Sequence, residues 1–132
     1  MSPLESQHAV VAFAEGIPGF ESCRQFVLLS GPGVEPFTIV QGLGPDAPAF
    51  AAIDPLRVVD GYRAELSEAD KARLLAEGGV DLVWLAIVSV GASGIPTANL
   101  RSPLVINPAN LRGIQLMPAE SAYSFEHPLR AA

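Results

Sequence analysis

Two histidines, one cysteine and a scatter of carboxylates are the residues of this chain that could do chemistry. His8 and His127 stand near opposite ends of the 132-residue sequence. Neither belongs to an HxH, HxxxH or HExxH spacing, the patterns that bring two imidazoles to one metal. Cys23 is alone, which excludes an internal disulfide and a cysteine-built metal cage. Its neighbour Arg24 is the kind of cation that activates a thiol, but a small, part-buried side chain is the commoner role. Asp54 precedes Pro55 at a strand end. An aspartate there can be a catalytic carboxylate, yet bonding to nearby backbone amides is the usual case. GxSxG, a phosphate loop and a dinucleotide fingerprint are all missing. GIPG at 16–19 has a GxxG spacing without the basic flanks of an RNA clamp. The expectation is a protein that is not an enzyme and holds no metal or cofactor. An enzyme of β-rich fold, or a barrel for a small ligand, is the alternative.

Charge points the same way. Fourteen acidic residues against eight basic ones give a net charge of −6, and Lys71 is the single lysine. Nucleic-acid binding needs a basic stripe to neutralise phosphates, so direct contact with RNA or DNA is not expected. An acidic surface suits a basic protein partner, with an attraction that salt weakens. The carboxylates best grouped for that role are Glu68, Asp70 and Glu77, on one short helical segment. The longest purely apolar run, LVWLAIV at 82–88, is too short to cross a bilayer. The N-terminus lacks the cationic and apolar regions of a secretory signal, so a cytoplasmic location is expected.

These residues must be positioned by many short elements. Twelve Gly and twelve Pro are spread along the chain, which favours strands and turns over a helical bundle. Strands are expected at 8–14, 26–31, 36–42 and 49–54, the first closed by a Pro18-Gly19 type II turn. One helix is expected over 67–77, with Ser67 as N-cap, Asp70 completing a capping box and Gly78 ending it. Ala72, Leu74 and Leu75 should form its inward face. The run at 80–90 is apolar on both faces and reads as the central strand, with Trp84 largely buried. GASG at 91–94 is a loop. Further strands are expected near 104–106 and 111–118, with a last edge at 121–125. The pattern predicts a single domain over 1–132, mainly β, an antiparallel barrel or sandwich with one main helix.

Several punctuating segments occur together and in order: FAEGIPGFE (13–21), FVLL (26–29), PFTIVQGL (36–43), AFAAIDP (49–55), then TANLRSPLVIN (97–107) and GIQLMPAESAYSFEHPL (113–129). In this combination the chain resembles the flagellar assembly factor FliW family over nearly its whole length. Read physically, most of the shared residues are scaffold. Gly16, Pro18 and Gly19 build a turn, while Phe13, Phe20, Phe37 and Phe50 are expected in the core. Asp54, Pro55 and Pro103 end elements. Asn99 and Asn107 bond turn backbone, and Tyr62, Leu100, Gln115 and Tyr123 complete the motif. The resemblance implies a β-barrel-like protein that works by exchanging partners. It would bind flagellin in the cytoplasm, on an apolar groove suited to an amphipathic helix. It would also bind CsrA, an RNA-binding translational repressor, so that free flagellin levels set flagellin synthesis.

Overall fold

The computed structural model describes residues 9–76 and 81–129. Among the described residues nine strands form one sheet: β1 Val10–Ala12, β2 Gln25–Leu29, β3 Phe37–Gly42, β4 Ala49–Ile53, β5 Val83–Val90, β6 Pro96–Ala98, β7 Leu104–Asn107, β8 Arg112–Gln115 and β9 His127–Pro128. A 3₁₀ turn covers Pro55–Arg57, and one α-helix, α1, covers Glu68–Leu74. The order β4-β3-β2-β1-β8-β7-β5 closes into a seven-stranded barrel, because β4 also pairs with β5. β6 and β9 extend the sheet beyond β5. The neighbouring pairs are antiparallel except β1 and β8, which lie parallel and meet at Ala12 and Arg112. Parallel contact follows from closure: the first described strand and one of the last are brought together from far apart, with no hairpin to set their direction.

Strand alternation separates inside from outside. Val11, Phe26, Leu28, Val40, Ala52, Leu85, Leu104 and Ile106 fill the barrel with Phe13 and Ile17. Phe13 and Phe26 meet edge to face at 5.5 Å. Two apolar layers lie outside. Ile53, Ala86, Ala98 and Leu100 sit beneath the 58–64 segment, which contributes Tyr62, and the C-terminal segment. Leu74 of α1 packs on Val105, Ile114, Leu116 and Trp84.

β5 is the central strand expected from its apolar run. It meets β7 through Val83–Leu85, β4 through Ala86–Val88 and β6 through Val88–Val90. Trp84 is largely buried as expected, packed in the outer layer under α1 and not in the barrel interior. Three expectations need correction. Phe20 is 42% exposed, standing on Phe50 edge to face at 5.0 Å at the barrel rim. α1 is shorter than 67–77: Leu75 turns left-handed at φ 51°, so Leu74 alone is buried while Ala72 and Leu75 face solvent. Gly78 lies outside the described residues. The last edge strand is His127–Pro128; 121–125 are turns whose Ser121 and Ser124 hydroxyls accept from backbone amides two residues on.

Candidate partner-binding surface

The most distinctive surface feature follows from a difference in strand length. β4 is five residues long and β5 is eight. Their pairing ends at Ile53 opposite Ala86. Pro55 then turns the chain away, and the Asp54 carboxylate caps that turn by accepting the Leu56 amide at 2.9 Å. This is the backbone-bonding role expected for Asp54. The departing segment is pinned outside the barrel at two points. The Tyr62 hydroxyl donates to the Leu100 carbonyl at 2.7 Å, and the Arg63 amide donates to the Tyr123 hydroxyl at 3.0 Å. Tyr62 and Tyr123 also stack at 4.5 Å. Burial, and secondarily the neighbouring Tyr123, push the Tyr62 hydroxyl pKa from its ordinary 10.0 up to about 12.

The N-terminal part of β5 is therefore paired on one side only. Asn99 donates to the Ile87 carbonyl at 2.9 Å, so the odd-numbered residues of β5 aim their polar groups at β6 and β7. By antiparallel alternation Trp84 aims its amide and carbonyl the other way, into the space β4 has left. Among the described residues no strand pairs there. That space is a cleft of about 610 Å³, lined by Thr38, by Asp54–Leu56, by Tyr62–Glu65 and by Leu82–Leu85. Leu56 on its lip is 57% exposed. Sequence reading did not find this cleft. A usable signal was present in the long apolar run at 80–90 beside a strand that Pro55 cuts short.

The helix carboxylates have unequal roles. Ser67 Oγ accepts the Asp70 amide at 3.0 Å and Asp70 Oδ2 accepts the Ser67 amide at 3.2 Å, the reciprocal capping box expected. Asp70 also pairs with Arg73 at 2.9 Å, and Arg73 reaches Glu15 at 3.2 Å. Asp70 is thus committed to the helix. Glu68 is open to solvent, with Lys71 at 3.4 Å. Glu77 lies outside the described residues.

The shared-motif residues are mostly scaffold. Gly16 and Gly19 have positive φ, and the Phe20 amide donates to the Ile17 carbonyl at 2.7 Å across the Pro18-Gly19 turn. Asn99 Oδ1 accepts the Ser102 amide at 2.9 Å. Asn107 is buried, accepting the Ala109 amide and donating to the Leu74 carbonyl at 3.1 Å. Gln115 donates to the Ser102 carbonyl at 3.0 Å beside buried Pro103. Cys23 is buried, its thiol directed at the Gln25 and Leu43 carbonyls. Among the described residues no three His, Cys, Asp or Glu side chains gather as a metal-binding group. His8 lies outside them. No helix among them is long and apolar enough to cross a membrane.

The sequence profile of the FliW protein family matches residues 4–129. The chain belongs to the FliW family. Flagellar assembly factor FliW of Natranaerobius thermophilus is 31% identical over 126 residues, covering 94% of this chain and 83% of the relative. FliW of Alkaliphilus metalliredigens is 36% identical over 124 residues, covering 92% and 76%. A crystal structure of the flagellar assembly factor FliW superposes with a TM-score of 0.83 at 31% identity, covering 99% of this chain and 89% of that one. The FliW fold thus accounts for the barrel, the single helix and the motif residues that hold its turns.

Proposed function

We propose that this FliW-family chain is a cytoplasmic, non-catalytic regulator that binds flagellin and, by exchanging partners, antagonises the translational repressor CsrA. Flagellin awaiting export occupies the protein and leaves CsrA free to repress. Once flagellin is exported, the protein binds CsrA and translation of flagellin resumes. The observation that carries this reading is the match to flagellar assembly factors over more than nine-tenths of the chain. Two features support it. The net charge of −6 favours encounter with a basic, RNA-binding partner. The apolar cleft beside β5 is an exposed surface able to take a partner's apolar segment.

Calorimetric titration of the purified protein tests it, first with flagellin of the same bacterium and then with its CsrA. Saturable heats are expected with each, and flagellin should release CsrA from a preformed complex. No complex with flagellin at micromolar concentrations rejects the reading. Tight binding of the protein itself to flagellin messenger RNA rejects the exchange mechanism.

A further inference from the structure

An unpaired strand flank at the floor of an apolar cleft is an unusual pairing of features. Exposed strand edges invite another chain and are ordinarily blunted by proline, by charge or by a covering segment. Here the departing 55–66 segment packs near β5 through its side chains, and no backbone hydrogen bond joins the two among the described residues. Trp84 presents its amide and carbonyl to the cleft, between the barrel-facing side chains of Val83 and Leu85.

We infer that the free flank of β5 at Val83–Leu85 is a strand-addition site, which takes an extended partner segment of alternating apolar residues with basic ends. The segment lies antiparallel to β5, in line with β4, and its backbone satisfies the Trp84 amide and carbonyl. Three residues of β5 flank give it a bed of about 10 Å. One set of its side chains meets Val83 and Leu85, the other Trp84 and Tyr62, so both sets are apolar. A helix is the poorer occupant, because its amides and carbonyls are bonded to one another and leave the Trp84 groups unmatched. Charge selects the ends. The cleft lining and Asp81, which precedes it, carry Asp54, Glu65 and Asp81 against Arg63 alone. This inference rests on the reading that the protein captures partner segments, and it specifies their conformation and chemistry.

The probe is a blocked nonapeptide alternating valine with leucine, lysine at each end. Its controls are the same peptide N-methylated at alternate residues and a version with glutamate ends. Trp84 is the single tryptophan, so its fluorescence reports occupancy of the cleft directly. The lysine peptide should shift Trp84 emission saturably and slow exchange of the Trp84 amide proton about tenfold or more. N-methylation should weaken binding about tenfold or more, and glutamate ends several-fold. Glu65→Lys, which brings these charges into balance, should abolish the preference between lysine and glutamate ends without moving the unfolding midpoint. Equal binding of the N-methylated peptide, an unprotected Trp84 amide at saturation, or no Trp84 response overturns the proposal. Flagellin binding that leaves Trp84 unaffected overturns strand addition and keeps the proposed function. A peptide response without flagellin binding does the reverse.

Discussion

The ring of Phe13 fills the space that a β-carbon on Gly113 would need. A β-carbon built there falls 2.7 Å from the ring Cζ and 2.8 Å from Cε2. Both residues are buried where β8 passes the parallel contact with β1, so the barrel closes around an aromatic ring set against a bare strand. Gly113→Ala should destabilise the protein by about 1–3 kcal/mol through overpacking, since a ring packed edge to face on Phe26 cannot swing aside. Chemical denaturation measures it. Pairing the substitution with Phe13→Leu should recover part of the loss, and simple additivity of the two costs would contradict the contact.

Tyr62 links stability to alkaline pH. Its folded pKa stands near 12 against 10.0 for an ordinary tyrosine. Between these values the unfolded chain loses the proton while the folded one holds it. The contribution is therefore complete below pH 10 and is lost as pH rises through 12, amounting at most to roughly 2–3 kcal/mol. Tyr62→Phe should flatten that alkaline decline, at a cost near neutrality of about 1–2 kcal/mol for the lost bond to the Leu100 carbonyl. Urea melts of both proteins across this pH range read the difference; parallel declines would contradict it.

Asn107 and Asn110 both donate to the Leu74 carbonyl, at 3.1 and 2.9 Å. Either one alone keeps that carbonyl satisfied. Asn107 is also buried and holds the Ala109 amide. Asn107→Ala should therefore cost about 1–3 kcal/mol, and Asn110→Ala under about 1 kcal/mol. The double variant should exceed the sum and release α1, seen as faster amide exchange at Leu74.

The two carboxylates of α1 should separate binding from stability. Asp70→Ala removes half of the capping box and should cost about 1 kcal/mol. Glu68→Lys should change stability by under about 0.5 kcal/mol, since its exposed contact with Lys71 is worth little. If α1 steers CsrA, Glu68→Lys should slow association and flatten its salt dependence while flagellin affinity stays unchanged. Stopped-flow mixing at low salt checks this; equal rates exclude α1 as the steering surface.

Trp84→Ala should cost about 2–3 kcal/mol, short of a fully enclosed tryptophan, because the ring packs in the outer layer and keeps a minor part of its surface exposed. A thermal melt followed by circular dichroism measures it. A larger loss would mean that the outer layer under α1 is tighter than its exposure indicates.

What the sequence determined by itself was local. Ser67 with Asp70, Pro18 with Gly19, and Asp54 before Pro55 each act over two or three residues, and each makes the bonds its residue types require. The apolar run through Trp84 likewise marked the central strand, since burial on both faces leaves no polar alternation. Tertiary structure decided whatever depends on which strand lies beside which. The parallel contact of β1 with β8, the exposure of Phe20 at the rim and the placement of Trp84 in the outer layer all follow from closure of the barrel. So does the cleft. Pro55 says that β4 stops, but only the register of Ile53 against Ala86 shows that β5 runs on past it, leaving Trp84 without a strand on its β4 side among the described residues. Side-chain type sets what a residue can bond, whereas strand register sets what lies within reach of it.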